Sequence, residues 1–422
     1  MIAPNRSLHP AIQGNRQLAR MRRTSVLLFL VANSFLVAQD VIMSTPQDQP
    51  VPPILRDKSL PPVLSQLPAP PETPFKIGPV SLHPQLNYSY LNAEGLPTAQ
   101  GRRVASEITR FAPGLTVDFG QHLTLAYNPT WVSYTARAMQ DSVDQSLKLS
   151  GAAKFHDWGY QFSQDYVASS PTLVETGQQT RQKTWRTMLS ATYNLSPVVQ
   201  LQASGIEDER YTDIAPDTRT WTGKTALNLT FSPRLSLNLG LSYFYTEIAR
   251  TPDNFGDSYN FSLNWKPLNK LTLAINAGRQ SNHSTSSNGL DISSPLLNFD
   301  LGYQPFEATS LTLSAARTVS PSYFKGQITE GTQRNIALNQ RILGRFFLSA
   351  SYGHQDTDYI TTEALTADER KDAVKTYNAR ISTKLFKRLS LSALYTKSQI
   401  KSTLAQYSFS TKQYGVELKF SY

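Results

Sequence analysis

The sequence predicts an all-β fold, a transmembrane antiparallel up-and-down β-barrel of about 18 strands. Three observations predict it. Many segments of roughly 11 to 14 residues alternate apolar and polar residues with a period of two, as a strand with two different faces does. Tight turns and longer polar loops alternate along the chain with a repeat of about forty residues. The chain ends on one more alternating segment, whose last residue is the aromatic Tyr422.

The composition agrees with a sheet and limits the chemistry. The chain of 422 residues contains no cysteine, so disulfides and thiolate metal sites are excluded. Charged residues make up 17% of the chain, and the formal net charge is +10. Lysine and arginine are spread singly through the alternating segments, whereas nucleic-acid binding requires a clustered basic face. We therefore expect no nucleic-acid partner.

The N-terminal residues 1–38 have the pattern of a secretory signal peptide. Basic residues precede an apolar run at residues 25–32, which continues at residues 35–38, and this order matches the charged and apolar regions of such a signal. The basic residues are Arg20, Arg22 and Arg23. We expect cleavage after Ala38, with cleavage after Ser34 as the alternative. Met21 opens a compact signal of its own and is an alternative start.

Residues 39–76 are predicted to be a proline-rich periplasmic linker. Ten prolines lie between Pro46 and Pro74, and they remove backbone donors and favour extended polyproline II structure. The segment is either a bare spacer or a docking site for a periplasmic partner or the cell wall. No segment after the signal peptide offers the roughly 20 consecutive apolar residues that a membrane helix needs.

The predicted barrel covers residues 77–422. Its strands are joined by tight turns, several of which contain proline, glycine or asparagine. The turns lie near Gly120, His156, Ser196, Ser232, Pro267, Pro305, Leu343 and Phe386. Longer polar stretches separate the hairpins, as at residues 207–219, 280–291 and 354–372. Short turns at one end and long loops at the other are typical of membrane barrels, which have an even number of strands.

Alternation within the strands predicts which side chains face lipid. The segment from Leu235 to Tyr245 places leucine and tyrosine on one face and mainly serine, asparagine and glycine on the other. A soluble β-sandwich alternates in the same way, but the strand length and the aromatic residues at the ends of the apolar faces favour the barrel. Those aromatic residues are Tyr88, Tyr90, Trp131, Tyr193, Trp221, Tyr243, Trp265, Tyr303, Tyr352 and Tyr395.

The C-terminal segment carries the most specific motif. Tyr414, Leu418, Phe420 and Tyr422 lie on one phase and alternate with polar residues. This ending resembles the C-terminal signal by which outer-membrane barrels are recognised by the barrel assembly machinery. Residues 77–422 resemble the outer-membrane porin superfamily, and more loosely the barrel porins encoded beside exopolysaccharide-export genes. The resemblance implies passive diffusion or export across the outer membrane, and therefore a location in the cell outer membrane.

The sequence pattern offers little evidence of catalysis or metal binding. None of the six histidines has ligand spacing to another histidine or to a carboxylate pair. Ser281 or Ser284 beside His283 could act as a nucleophile, but the surrounding residues have the composition of a loop. We therefore expect no enzyme, no cofactor and no metal. A capping box at residues 366–369 predicts a short helix over residues 368–375, with a solvated loop as the alternative.

The polar phase of the strands carries the predicted lumen charges. The basic residues on this phase are Arg110, Lys154, Arg186, Lys224, Arg341, Arg380, Lys384 and Lys419. The acidic residues on it are Asp118, Asp165, Asp300 and Glu417. This excess of positive groups predicts a mildly cationic lumen, which raises the local concentration of anions. The alternative is that these charges pair with one another and select nothing.

The leading functional hypothesis is an outer-membrane channel for passive diffusion of small hydrophilic solutes, with a mild anion preference. Two alternatives stay open: an accessory barrel for exopolysaccharide export, and a structural or adhesive barrel whose lumen is closed. The expected partners are outer-membrane lipids, the assembly machinery, and either small solutes or a polysaccharide. The sequence specifies neither the solute nor the oligomeric state, and it does not show whether a loop narrows the pore.

Overall fold

The computed structural model of the chain describes residues 75–98, 101–249, 252–286, 291–322, 327–361 and 370–422. The predicted signal peptide and all but the last two residues of the predicted linker lie outside these ranges. The part of the chain that the structure describes contains no helix that is long and apolar enough to cross a membrane.

Strands follow one another along almost all of the described residues. They are β1 (Phe75–Ile77), β2 (Val80–Pro97), β3 (Arg103–Phe119), β4 (Leu123–Tyr134), β5 (Ser142–Phe155), β6 (Trp158–Ser169), β7 (Thr172–Leu173), β8 (Gln178–Gln179), β9 (Gln182–Asn194), β10 (Val199–Thr212), β11 (Thr218–Ser232), β12 (Leu235–Ile248), β13 (Asn254–Leu268), β14 (Leu271–Ser284), β15 (Ile292–Phe306), β16 (Thr309–Pro321), β17 (Gln327–Ile342), β18 (Phe346–Thr361), β19 (Lys371–Phe386), β20 (Leu389–Ser402) and β21 (Phe409–Ser421).

Eighteen of these strands, β2 to β6 and β9 to β21, form one closed antiparallel barrel, which confirms the predicted fold. Each barrel strand pairs with its neighbours along the chain, β6 pairs with β9 across a loop, and β21 returns to pair with β2. The β2–β21 pairing runs from Gln85 opposite Ser421 to Glu94 opposite Lys412. Strand β1 adds to β2 beside this closure, while β7 and β8 form a separate hairpin.

The turns at one end of the barrel are short and lie where the sequence predicts them. Left-handed backbone at Gly120, His156, Leu343 and Gly344 lets the chain reverse direction within a few residues. The barrel strands run from 12 to 18 residues, longer than the roughly 9 to 11 residues that cross a bilayer at a tilt. The strands therefore continue beyond the membrane on the side of the loops.

Two expectations about the loops are wrong. Residues 207–212, 218–219 and 280–284, expected in polar loops, are strand, because backbone pairing continues above the lipid, where polar side chains suit both faces of the sheet. Residues 371–375, expected in a short helix, belong to β19, since pairing with β18 and β20 overrides their helix propensity. The capping box at residues 366–369 lies outside the described residues.

The two faces of the sheet differ in the way that alternation predicts. In β19, Tyr377, Ile381 and Leu385 are exposed on one face, while Thr376 and Ser382 are buried on the other. The exposed apolar face continues around the barrel, with Tyr90, Trp131, Trp158, Trp185, Leu241, Tyr259, Trp265, Leu297, Tyr303, Ile336, Tyr395 and Val416 among its members. Soluble proteins rarely expose apolar patches larger than a few hundred Å². The chain is therefore an outer-membrane barrel whose polar face lines the lumen.

Two glycines permit the close approach of β2 and β21. A β-carbon at Gly415 would overlap the backbone of Tyr90 and Leu91, and one at Gly95 would overlap the carbonyl oxygen of Ser410. Gly95 also has a φ of +74°, which side chains rarely tolerate. The closure of the barrel therefore depends on the absence of side chains at these two positions.

Gly415→Ala is expected to weaken the closure, because the added methyl group pushes β21 away from β2, and overpacking of this kind costs about 1–3 kcal/mol. Urea titration of the barrel folded in lipid vesicles should show a lower unfolding midpoint. Gly205→Ala is the matched control, since open space surrounds the position of its β-carbon. Equal midpoints for the two variants would contradict the close approach.

Single cysteines can test which end faces the cell exterior, since the chain has none of its own. Ile214 is exposed in the loop between β10 and β11, and Glu307 lies in the turn between β15 and β16. A maleimide too large for a pore should label Ile214→Cys on intact cells, and Glu307→Cys only after the outer membrane is opened, because short turns face the periplasm. Labelling of Glu307→Cys alone on intact cells would reverse the orientation.

Candidate functional site

The candidate site is the lumen, whose wall consists largely of small polar side chains that hydrogen-bond across strands. The hydroxyls of Ser242 and Ser258 lie 2.6 Å apart between β12 and β13. Ser349 donates its hydroxyl hydrogen to Asn339 Oδ1 at 2.7 Å between β18 and β17. These groups face inward because the opposite phase of each strand carries the exposed apolar residues. They give a wall with hydrogen-bonding capacity towards water and polar solutes.

Some of the predicted lumen charges lie in ion pairs. Arg186 Nη1 lies 3.1 Å from Asp208 Oδ1, and Lys224 interacts electrostatically with both groups. Arg380 forms a buried ion pair with Glu417 beside the barrel closure. These parts of the wall therefore carry less net charge than the number of their bases indicates.

Four other predicted bases lie at the short-turn end of the lumen. Lys154, Arg341, Lys384 and Lys419 each come within a few residues of a turn or of the C-terminus, on the inward phase of their strands. Lys384 and Lys419 both lie opposite Ser390 in the strand register, so they occupy one row across β19, β20 and β21. The structure does not bring all eight predicted bases together in one site.

The structure also places charges inward that the sequence interpretation missed. Lys148 Nζ lies 3.0 Å from Asp165 Oδ1. Asp144, on the same strand as Lys148, interacts electrostatically with the predicted lumen residue Arg110. The signal was present in β5, because Asp144 and Lys148 share the parity of Lys154 along the strand.

A loop that folds into the lumen is the main feature that the sequence did not reveal. Residues 170–181, between β6 and β9, carry the β7–β8 hairpin. Leu173, Glu175 and Thr180 are almost completely buried, with exposed fractions of 1%, 2% and 0%. Loops that project into solvent leave such side chains exposed. This segment therefore packs inside the barrel, and we call it the inward loop.

The inward loop reaches the opposite wall. Ser322, which follows β16, donates its hydroxyl hydrogen to the Glu175 carboxylate. Arg370, which precedes β19, donates from Nη1 to the Glu175 carbonyl oxygen at 2.7 Å. Eight of the eighteen barrel strands, β9 to β16, separate the base of the loop from Ser322. Each arm of the loop, about six residues long, spans roughly 20 Å. The loop therefore narrows the lumen.

Arg370 is the centre of the contacts that hold the inward loop. Its Nε and Nη2 atoms donate to the Asp372 carboxylate at 3.0 and 2.5 Å. Its guanidinium lies against the rings of Tyr359 and Tyr407, 4.4 and 3.6 Å from their centroids. Tyr359 Oη also donates to Asp372, at 3.0 Å. Bidentate pairing and ring contacts stabilise a charge pair whose burial would otherwise be costly.

Apolar contacts and a second loop complete the constriction. Val174 of the inward loop packs against an inward-facing apolar cluster, which consists of Val374, Ile400 and Phe409. In the loop 135–141, between β4 and β5, Met139 is buried in a second inward-facing cluster with residues of β2, β3 and β4. Gln140 and Gln179 exchange two hydrogen bonds of 3.0 and 2.9 Å. The two loops therefore support each other inside the barrel.

The sequence contains one weak signal for the inward loop. Leu173 and Val174 are adjacent apolar residues within an otherwise polar connection. Adjacent apolar side chains of this size are more often buried than exposed to water. Glu175 and Arg370 lie 195 positions apart, so no local pattern connects them.

The histidines do not converge on a metal site in the described ranges, where no group of three or more histidine, aspartate or glutamate side chains could hold a metal ion. His283 Nδ1 lies 2.8 Å from Asp291 Oδ1, and its ring stacks on that of Phe255. Ser281 lies on the same face as His283, but among the described residues no serine hydroxyl bonds to the His283 ring. The structure therefore places a carboxylate contact at His283, without an aligned nucleophile.

Comparisons with known proteins give structural similarity alone. No protein-family model and no curated protein matches the sequence. OpdK of Pseudomonas aeruginosa, solved with vanillate, is similar at 10% identity and a TM-score of 0.46, over 81% of this chain and 99% of the other. OccK2 (OpdF) of Pseudomonas aeruginosa, in complex with glucuronate, gives 12% identity and a TM-score of 0.45 over 81% and 98%. OccAB3 of Acinetobacter baumannii gives 10% identity and a TM-score of 0.46 over 82% and 100%. The fold is established by the strand pairing of this chain.

Arg370→Met is expected to release the inward loop. The variant removes the donor to Glu175 and leaves the buried Asp372 carboxylate without its cation, a change that costs about 3–5 kcal/mol at buried pairs. Trypsin should then cut the folded barrel at Arg181, and the conductance of the barrel in a planar bilayer should rise and become noisy.

Lys371→Met is the matched control, because this neighbouring base is exposed and lies 3.6 Å from an exposed carboxylate, that of Asp358. It should leave cleavage and conductance unchanged. Native-like resistance at Arg181 in a folded Arg370→Met barrel would show that the loop is held by other contacts.

Proposed function

We propose that this chain is an outer-membrane channel for the passive diffusion of small hydrophilic solutes, with a mild preference for anions. The observation that carries the proposal is a closed ring of eighteen strands that turns its polar face inward and is narrowed by a segment of the same chain. A barrel of this size is wide enough for an aqueous channel. The inward loop limits passage to small molecules.

The constriction favours free solutes over a polymer. A polysaccharide in transit needs a continuous wide path, whereas residues 170–181 extend into the lumen and are bound to the far wall by Ser322 and Arg370. The lumen wall carries serine, threonine, asparagine and glutamine side chains, which are able to exchange hydrogen bonds with hydroxyl and carboxylate groups of a solute. Conductance across a planar bilayer distinguishes the two functions. A channel conducts ions, whereas an adhesive barrel with a closed lumen does not.

The proposed anion preference depends on bases that acidic neighbours do not neutralise. Arg186 and Arg380 contribute little net charge, because each is paired with an acid. Among the described residues, Lys154, Arg341 and Lys419 at the short-turn mouth form no ion pair. Fixed charge acts over about 8 Å, the Debye length at physiological salt, and raises the local anion concentration. The other proposed selectivity residues are Arg110, Lys224 and Lys384.

We also propose that β21 carries the signal for the barrel assembly machinery. Tyr414, Leu418 and Phe420 are exposed on its outer face, where a recognition factor can reach them before the sheet closes. The ring of Tyr422 stacks on that of Phe75 in β1, with 4.0 Å between centroids. The terminal aromatic residue thus has a structural role in the finished barrel besides its proposed role in assembly.

The selectivity proposal predicts the sign of the reversal potential in a shallow KCl gradient. The wild-type barrel should show a weak anion preference, because Lys154, Arg341 and Lys419 at the mouth form no ion pair among the described residues. Lys384→Glu combined with Lys419→Glu should move the reversal potential towards cation preference. Both effects should shrink at about 1 M salt, where the Debye length falls to about 3 Å.

Lys375→Glu combined with Lys401→Glu is the matched control, because these exposed bases lie on the outer phase of β19 and β20. It makes the same change in net charge outside the lumen, so the reversal potential should stay close to that of the wild type. If both double variants shift it equally, the effect comes from surface charge, and the proposed lumen residues do not set selectivity.

A further inference from the structure

An apolar fringe surrounds the short-turn rim of the barrel. Phe231, Leu268, Leu343 and Phe386 each lie at the end of a strand or in a turn, and their side chains are 59%, 60%, 84% and 72% exposed. Phe155 and Phe306 occupy equivalent positions at other turns. Few large apolar side chains in the described part of the chain are as exposed as these. Water alone is an unfavourable surrounding for such a fringe.

Among the short turns, only those on one sector of the rim carry basic residues beside the apolar fringe. Lys154, next to Phe155 on the other side, lies within β5 on the inward phase. Arg234, Lys270, Arg345 and Lys387 each lie within three positions of one of the four fringe residues, in four turns that lie between β11 and β20. The turns from β3 to β10 contain no lysine or arginine, and Asp157 lies among them. We call the four bases with their four fringe residues the basic rim sector.

Two bases of this sector extend along the rim and hydrogen-bond to the next hairpin. Arg234 Nη2 donates to Asn269 Oδ1 at 3.1 Å, and Lys270 Nζ donates to the Pro305 carbonyl oxygen at 2.7 Å, so each reaches the next turn. An arginine has five donor hydrogens and a lysine has three, so one such bond leaves most donors for another acceptor. These four turns contain no acidic residue, and Glu307 lies in a fifth turn of the same stretch, between β15 and β16.

We propose that the basic rim sector binds anionic phospholipid on the periplasmic side of the outer membrane. Exposed apolar side chains with a base a few residues away fit a lipid, whose acyl chain and phosphate lie side by side at the interface. A soluble acidic partner would not cover the apolar fringe, which lies at the level of the bilayer. Net negative headgroups are preferred, because an ammonium group in a zwitterionic headgroup repels the bases.

The experiment measures lipid enrichment around single fluorophores on the full chain, reconstituted in phosphatidylcholine vesicles. The fluorophore is attached through Asn269→Cys in the sector or through Gln121→Cys in the turn between β3 and β4. Energy transfer is compared for trace amounts of acyl-labelled phosphatidylglycerol and acyl-labelled phosphatidylcholine. At position 269, phosphatidylglycerol should be enriched at least about fivefold, the effect of one base near an anionic surface. At position 121 the two lipids should transfer equally.

Arg234→Gln, Lys270→Gln and Arg345→Gln together should abolish the enrichment at position 269. A matched triple variant at the loop end, Arg137→Gln, Lys183→Gln and Lys401→Gln, should keep it. Should the first triple variant fail to fold, about 1 M NaCl on the unsubstituted sector should remove the enrichment.

Three results would overturn the proposal. They are equal enrichment at positions 269 and 121, loss of enrichment in both triple variants, and displacement of the labelled lipid by free glycerol phosphate. The last result would mean that the sector binds a soluble anion, since that competitor has no acyl chain. The experiment is independent of conductance, so its outcome does not depend on the proposed channel function.

Discussion

The pairing of β2 with β21 is the constraint on which the rest of the structure depends. In lipid an unpaired backbone donor or acceptor costs several kcal/mol, so a sheet in the membrane must have no edge. Gly95 and Gly415 let the two strands approach, and the stack of Tyr422 on Phe75 covers the end of the pairing. Because closure fixes the strand register around the ring, it also fixes which phase faces lipid and which faces water.

Closure leaves a polar interior that lacks the apolar core of a soluble protein, so the inward loop needs its own anchors. One apolar cluster, the Arg370 contacts and the neighbouring loop 135–141 provide them, and that loop is itself held by Met139 in the second cluster. Apolar contacts stabilise the loop but do not fix its orientation. Arg370 does, because its guanidinium binds the Asp372 carboxylate in one geometry. A charge pair buried in this way contributes less to net stability than to the choice of one position for the loop.

The sequence predicted the fold well because the strongest constraints on this chain are local. Neighbouring residues are enough to reveal the period of two in the strands, the turns at His156 and Leu343, and the alternating segment that ends at Tyr422. The inward phase of Lys384 and Lys419 follows from the same alternation. The pairing between inward charges does not follow from it, because Arg380 and Glu417 meet only after the register is set. The contact of Glu175 with Arg370 depends on a crossing of the lumen that no local pattern encodes.

The distribution of charge along the lumen has a physical reason within the proposed function. Near the constriction, protein on several sides lowers the dielectric constant, and an uncompensated charge there would be costly, so Arg186 and Arg370 have acidic partners. At the short-turn mouth, water solvates a single charge, so Lys154 and Lys419 persist without an ion pair among the described residues. Solutes would then be selected by size and hydrogen bonding at the inward loop, and by charge at the short-turn mouth. One barrel can in this way hold a rigid, nearly neutral constriction and still bias the ions that enter it.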